Sequence, residues 1–372
     1  MLNLSNKKVL VVGAGISGFS AAKIAKKLGA AVTLSDAKAE KDIQEDFAPL
    51  REAGIALVFG PQAASLLTGV DIVILSPAVP ARIPLIKAAR EAGIRVMSEV
   101  ELAYLIAKAP MAAVTGTNGK TTIATLLFRL FRAAGYRCGL LSTVCNYIED
   151  EAVPATHTTP SAPELQALLA RMQAAGCTHV FMEVSSHAMA QRRVAGIPFR
   201  GGIFTNLTRD HLDYHRDLED YFQAKARLFA RPLPCAVINI DDAHGRRLLD
   251  DNLVHPATRI IAVSSAGNHH PRAAATVSAG NIALDADGIH FTLHYDGKNA
   301  AISSHLLARF NVDNLLNTAA CLLALDTPFT DIPAILATLH GVPGRAERIR
   351  LPNGAAAIVD YAHTPAALVN IL

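Results

Sequence analysis

The apolar positions of the first hundred residues fall into short β-rich runs separated by stretches of helical spacing. Residues 9–12, 31–34, 55–59, 71–75 and 95–97 read as strands, and residues 19–28 and 84–92 as helices. Strands alternating with helices predict a parallel, doubly wound sheet, which is a Rossmann-like α/β unit.

Lys108-Ala-Pro110 reads as a linker, and a second pattern begins after it. Residues 111–115 form a short apolar run that feeds a Gly-rich turn and then a helix over 121–134. Further strands are expected at 138–141, 178–183, 202–205, 235–239 and 259–263, with helices at 162–175, 218–230 and 310–325. From about 274 to 304 the pattern alternates between Gly and Asp turns, as in Gly288-Ile-His-Phe-Thr-Leu-His294, and predicts a small antiparallel subsheet. A turn at 341–345 precedes a last strand at 356–360. The expected fold class is α/β: a Rossmann-like domain over 1–109, a P-loop-type, mostly parallel α/β domain over 110–358, and the start of a further domain over 359–372.

Composition narrows the function classes. The 372 residues are 51% apolar and 18% charged, which is material for more than one core. The net charge of +3 comes from interspersed acidic and basic residues, so neither nucleic acid nor an anionic membrane is the expected partner. The five cysteines are far apart and form no Cys-x-x-Cys pair; they read as reduced core thiols, with neither a disulfide framework nor a zinc site. No signal-like stretch opens the chain and no run approaches a membrane span, so the expected location is cytoplasmic.

The stretch richest in chemistry is Val114-Thr-Gly-Thr-Asn-Gly-Lys-Thr-Thr122. Gly116 and Gly119 let backbone N–H groups approach an anion, the helix start adds its dipole, Lys120 supplies a point charge and Thr121 a hydroxyl for Mg²⁺. The turn reads as an ATP phosphate cradle, although Val114 stands where a generic P-loop has its first glycine. A second turn, Gly13-Ala-Gly-Ile-Ser-Gly18, follows the first strand, and Asp36 ends the next one. This pattern suits a dinucleotide, another nucleotide diphosphate, or a purely structural turn. Glu183 closes a strand beside the cradle and suits the Mg²⁺ of ATP, its bland alternative being a cap on the following Ser-Ser turn. The run Asp210-His-Leu-Asp-Tyr-His215 offers a further metal ligand or is merely a solvated loop. Lys225, by periodicity alone, is an exposed helix lysine.

In order along the chain stand the cradle, His157-Thr-Thr-Pro160, Met182-Glu-Val-Ser-Ser-His187, Thr205-Asn-Leu-Thr-Arg-Asp-His-Leu-Asp-Tyr-His215, Phe222-Gln-Ala-Lys225, Phe310-Asn-Val-Asp-Asn314, Pro343-Gly-Arg345 and Val359-Asp-Tyr-Ala-His-Thr-Pro365. This series resembles the Mur ligases, which use ATP to add amino acids to the peptidoglycan precursor. Over 111–370 the likeness is to the branch that attaches diaminopimelate or lysine to UDP-MurNAc-L-Ala-D-Glu. The resemblance implies that Gly116, Thr117, Asn118, Gly119, Lys120, Thr121 and Thr122 hold the ATP phosphates. It further implies that Asn314 faces the adenine, Arg345 the phosphates and Asp360 the ribose. Thr158, Thr159, Ser185, Gln191 and Arg193 match positions for the muramyl-dipeptide part of the substrate. Lys225 matches a carbamylated lysine that binds a second Mg²⁺ with His211. Lys120, Lys225 and His211 become the catalytic candidates, and Thr121, Glu183, His211 and carbamylated Lys225 the metal set. The implied partners are a UDP-MurNAc-peptide substrate and an amino acid, and the implied reaction passes through an acyl phosphate.

Two departures qualify this. The first unit resembles that of the D-glutamate-adding branch, which makes the first turn a UDP site contacted by Ile16, Ser17 and Lys38. The motif that opens the family's third, acceptor-binding domain stands at the end of this sequence, twelve residues after Asp360 being all that remain; poor ligation by this chain alone is therefore expected. A D-glutamate-adding ligase and a non-catalytic nucleotide-binding relic are the alternatives. Folylpolyglutamate and cyanophycin synthetases share the cradle but not the first unit.

Overall fold

A computed structural model describes residues 4–76, 79, 80, 82–98, 111–285, 287–350 and 356–362. The chain divides into two compact units: residues 1–108 with 162–171 and 194–197, and residues 109–161, 172–193 and 198–372. The linker expected at 108–110 lies outside the described residues, as do residues 363–372.

In the first unit, β1 (Lys8–Val12), β2 (Ala31–Asp36), β3 (Ala56–Phe59), β4 (Ile72–Leu75) and β5 (Arg95–Ser98) form a parallel sheet in the order β3-β2-β1-β4-β5. Successive side chains of a strand point to opposite faces, and β1 shows it. Val9 and Val11 join a core with Ala22, Ala25 and Phe47, while Leu10 and Val12 join another with Leu85 and Ile86. The helices Ile16–Lys27 and Pro84–Glu91 thus cover opposite faces of one sheet. The chain leaves β1 toward β2 and later returns to β1's other side as β4, so the switch point lies at the carboxyl end of β1, where the Gly13–Gly18 turn sits.

The second unit repeats this logic on a larger scale. Its strands are β6 (Met111–Thr115), β7 (Cys138–Leu141), β8 (Cys145–Ile148), β9 (Glu151–Pro154), β10 (His179–Glu183), β11 (Phe199–Phe204), β12 (Cys235–Asn239), β13 (Arg259–Ser264), β14 (Ala275–Leu284), β15 (Ile289–Tyr295) and β16 (Lys298–Ser304). They form one sheet in the order β16-β15-β14-β13-β12-β11-β6-β10-β7-β8-β9. The centre is parallel, and both ends finish antiparallel. Val114, Phe181, Ile203, Val237 and Ile261 pack in one core with Ile123 and Leu127 of the helix Lys120–Ala133 and Leu315, Leu316 and Ala319 of the helix Phe310–Ala324. β6 lies between β10 and β11, so the second switch point is at its carboxyl end. A two-stranded ribbon, β17 (Glu347–Arg350) with β18 (Ala356–Val359), follows.

Differences from the sequence reading have local causes. The antiparallel segment is an extension of the main sheet, because β14 pairs with β13 in parallel before turning into β15. The helix expected over 218–230 ends as Leu218–Ala226. Its last apolar residues, Leu228 and Phe229, instead enter tighter turns, with N–H groups donating to Lys225 and Ala226 carbonyls, and bury completely. The hairpin β8–β9 and the helices Ser186–Ala190 and Ala243–Asp250 were not expected, their periodicity being too short to register.

Candidate functional site

At the end of β6 the backbone takes a path open only to glycine. Gly116 has φ 153° and Gly119 φ 86°; a Cβ on Gly116 would lie 1.9 Å from Thr205 Oγ1, and one on Gly119 2.6 Å from Asn314 Oδ1. The turn is strapped from the end of β11. Thr117 N–H donates to the Asn206 carbonyl at 2.9 Å, Asn118 N–H to Asn206 Oδ1 at 2.8 Å, and Thr205 Oγ1 to the Asn118 carbonyl at 2.5 Å. Asn206 and Thr205 were not singled out in the sequence, where they begin a polar run with no visible register.

Two lysines converge on this turn. Lys120 Nζ donates to the carbonyls of Gly116 and Thr117, both at 2.9 Å, and Lys225 Nζ to the Gly116 carbonyl at 2.7 Å. Lys225 is only 1% exposed and lies over the Tyr221 ring, so the bland reading of an exposed lysine is overturned. Burial, reinforced by the neighbouring Lys120 charge and opposed by Asp210, lowers its pKa well below the usual lysine value. Burial also lowers that of Lys120, with Glu183 opposing.

Glu183 is fully buried at the end of β10, level with Val114 of β6. Its carboxylate accepts from Thr121 Oγ1 at 3.0 Å, Thr143 N–H at 2.8 Å and Thr143 Oγ1 at 3.1 Å, and Arg345 Nη2 donates to Thr121 Oγ1 at 3.2 Å. Thr143 is a third residue the sequence reading missed. Its hydroxyl also meets Thr158 Oγ1 at 3.1 Å. A carboxylate can only accept, so the Thr143 proton goes to Glu183 and Thr158 donates to Thr143. These groups face a cavity of about 600 Å³ lined by Thr117 to Thr122, Thr143, Thr158, Glu183, Asp210, His211, Asn314, Arg345 and Asp360, among others.

Thr159, Ser185, Gln191 and Arg193 form a hydrogen-bonded chain beside it. Thr159 Oγ1 donates to the Glu183 carbonyl at 2.8 Å and accepts from Ser185 N–H at 3.0 Å; Arg193 donates to the Thr159 carbonyl and to Gln191 Oε1, both at 2.8 Å. Gln191 Nε2 in turn donates to the Tyr214 hydroxyl at 3.2 Å. Ser185 caps the helix Ser186–Ala190 by accepting from Ala188 N–H. His211 has φ 54°, stands edge-on to His187 with ring centroids 5.0 Å apart, and has its pKa lowered by burial against the opposing pull of Asp210.

Three further candidates have partners within the chain. Asn314 lines the cavity, but its Nδ2 donates to Asn311 Oδ1 and its Oδ1 fills the space over Gly119. Asp360 also lines it, while both oxygens clamp backbone, accepting from Ala346 and Ala362 N–H at 2.7 Å. In the first unit, Asp36 accepts from Ala14 N–H at 2.7 Å and Lys38 N–H at 2.9 Å, so it ties the Gly13–Gly18 turn to the loop after β2. The side chains of Ile16 and Ser17 lie outside the described set, and Lys38 is exposed in this unit.

The donor set suits Mg²⁺: a hard cation takes oxygen ligands and is held by one or two protein groups plus phosphate, and Thr121 and Glu183 supply a hydroxyl and a carboxylate. Among the described residues no group of three or more His, Cys, Asp and Glu is arranged to hold a metal alone. The fit is to a cation shared with a ligand's phosphates.

A nucleotide-type cradle on the switch point of a parallel sheet, with a carboxylate opposite its threonine, defines the class, and the sequence comparisons specify it. The Mur ligase middle domain matches residues 114–322, and the Mur ligase MurD-like N-terminal domain matches residues 7–98. The chain belongs to the Mur ligase family. It is 45% identical over 273 residues to the UDP-N-acetylmuramoyl-L-alanyl-D-glutamate–2,6-diaminopimelate ligase of Bacteroides fragilis, covering 71% of this chain and 52% of that one. To the ligase of the same name from Xanthomonas campestris it is 43% identical over 321 residues, covering 84% and 63%. The chain thus spans about half the length of the first of these relatives. Among solved structures, a UDP-N-acetylmuramoyl-L-alanyl-D-glutamate–2,6-diaminopimelate ligase superposes with TM-score 0.63 at 27% identity over 99% of this chain and 67% of that one. A pseudomurein peptide ligase type C from Methanothermus fervidus shares the fold at TM-score 0.54 and 21% identity, covering 99% and 77%. No helix among the described residues is long and apolar enough to cross a membrane.

Proposed function

We propose that this chain carries the ATP-binding and UDP-substrate-binding parts of an ATP-dependent, ADP-forming ligase of peptidoglycan precursor synthesis, working in the cytoplasm. The reaction adds meso-diaminopimelate or L-lysine to UDP-MurNAc-L-Ala-D-Glu. The observation that carries this reading is the buried Thr121–Glu183 pair beneath the glycine cradle, joined through Thr143 and Thr158 to the Thr159–Arg193 chain. Domain limits at 1–109, 110–358 and 359–372 belong to the same proposal.

In the reaction the substrate's free carboxylate attacks the γ-phosphorus of ATP, the bond to the β-phosphate oxygen breaks, and ADP leaves. The amino group of the incoming amino acid then attacks the acyl phosphate and expels phosphate, its surplus proton passing to a base or solvent. Such transfers need positioning and charge neutralisation more than covalent help from the protein. Lys120, once turned from its own carbonyls, and Arg345 neutralise phosphate oxygens. Thr121 and Glu183 would hold Mg²⁺, whose charge would offset that of the phosphates, and His211 with Lys225 as a carbamate would hold a second ion. The depressed pKa of Lys225 favours the neutral amine, whose lone pair can attack CO₂; the N–C bond forms, a proton leaves, and an anion replaces the cation. The Gly13–Gly18 turn, with Ile16, Ser17 and Lys38, holds the UDP end.

The match of residues 7–98 to a MurD-like N-terminal domain favours a second reading, the D-glutamate-adding ligase. Titration calorimetry with Mg²⁺ and a non-hydrolysable ATP analogue separates the two. Preference for UDP-MurNAc-L-Ala-D-Glu over UDP-MurNAc-L-Ala, lost in Arg193→Ala, is the expected result. Preference for the shorter substrate transfers the assignment to D-glutamate addition, and binding of neither leaves a nucleotide-binding relic.

A further inference from the structure

One wall of the cavity holds two buried oxygens with no donor opposite them, although the Asp313 side chain also hydrogen-bonds with Ser265. Phe310, Asp313, Asn314 and Asn317 share a face of the helix Phe310–Ala324, at spacing i, i+3, i+4 and i+7, and line the cavity with Ser265. Asn317 is 1% exposed. Its Nδ2 donates to the Asp313 carbonyl at 2.8 Å, which fixes the orientation of the amide and leaves Oδ1 buried without a partner. Asp313 Oδ1 is likewise buried and unpartnered. Asn314, between them, already spends its Nδ2 on Asn311. Among the described residues six buried side-chain nitrogen or oxygen atoms lack a partner, and three of the six belong to residues lining this one cavity: Asp313 Oδ1, Asn317 Oδ1 and Arg345 Nε. The clustering marks polar capacity held for a ligand. Arg345 offers a donor, matched to phosphate oxygens, whereas the helix face offers acceptors, matched to N–H groups.

We propose that Asp313 and Asn317 select the base of the bound nucleotide, reading an exocyclic amino group such as that of adenine and rejecting a carbonyl in its place, as in hypoxanthine. The inference rests on the nucleotide reading of the cavity and adds its base specificity. An amino group carries two N–H donors, one for each unfilled oxygen. A carbonyl there sets lone pair against lone pair and leaves both buried acceptors unmade, which is the larger part of the discrimination.

The test is titration calorimetry of the whole chain with ATP, ITP and inorganic tripolyphosphate, each with Mg²⁺. Wild type is expected to bind ATP at least about tenfold more tightly than ITP. Asn317→Ala weakens ATP about tenfold while leaving tripolyphosphate unchanged. Asp313→Asn, whose amide can turn an N–H toward a carbonyl, narrows the ATP-to-ITP ratio. Equal binding of ATP and ITP by wild type overturns the proposal whether or not the variants fold, and so does an unchanged ratio in variants that melt as wild type does. Tripolyphosphate binding without base preference removes the base selection and leaves the phosphate cradle. Binding of none of the three removes the nucleotide reading itself.

Discussion

At the scale of single residues, the cradle depends on two positions where a side chain cannot be added, and Gly119 shows how the cost divides. Part is backbone strain at φ 86°, and part is the collision of a Cβ with Asn314 Oδ1. Gly119→Ala is expected to destabilise the protein by about 1–3 kcal/mol in urea unfolding and to abolish binding of Mg²⁺-ATP. Gly119→Ala/Asn314→Ala should recover the collision part alone, so the two substitutions couple; strictly additive costs would place Asn314 out of contact with the turn. The glycines, Lys120 and Thr121 were legible in the sequence because their chemistry is contiguous. Asn206 and Thr143 were not, because each acts across a strand pairing that no local pattern records. Lys225 defeated the periodicity for a physical reason: its helix is packed so tightly that Tyr221, Phe222, Ala224 and Ala226 are buried with it.

At the scale of elements, legibility followed length and uniformity of pattern. The largely apolar β6, β12 and β13 and the helix Phe310–Ala324 stand where their periodicity placed them. The hairpin β8–β9 escaped because Cys145-Asn-Tyr-Ile148 mixes both periods around a two-residue turn, where Glu149 takes φ 55°. The pairing of β7 with β10 has a further consequence. It brings Cys138, Cys177 and Glu149 together, and burial, with Glu149 adding, pushes the Cys138 thiol up to about 12 and the Cys177 thiol up to about 11. A thiol whose pKa is raised on folding contributes stability that is complete below its unfolded value and lost as pH rises through the folded one. The stability gap between wild type and Cys138→Ala should therefore narrow between about pH 9 and about pH 12. Denaturant unfolding at about pH 8 and about pH 10.5 reads it. A gap that stays constant would mean the thiol ionises alike in both states.

At the scale of the whole molecule, the two units share a construction principle, and the proposal gives them different ligands. Each is organised on a switch point with a glycine turn at the carboxyl end of a central strand, and each has its own core. The cradle cavity is lined entirely by residues of the larger unit, while the Gly13–Gly18 turn and Asp36 belong to the smaller. A ligand stabilises what it binds, by about 2.7 kcal/mol at a hundredfold excess over its Kd. In differential scanning calorimetry, a non-hydrolysable ATP analogue with Mg²⁺ should raise the transition of the larger unit by about 5–10 °C, given about 2–4 °C per kcal/mol for a body of that size. UDP should raise the other transition and leave this one in place. Gly116→Ala supplies the control, since it removes the first shift without touching the second. If UDP moved the larger unit's transition in that variant, the diphosphate would be binding outside the first turn, and the assignment of the two cradles to two nucleotides would fall.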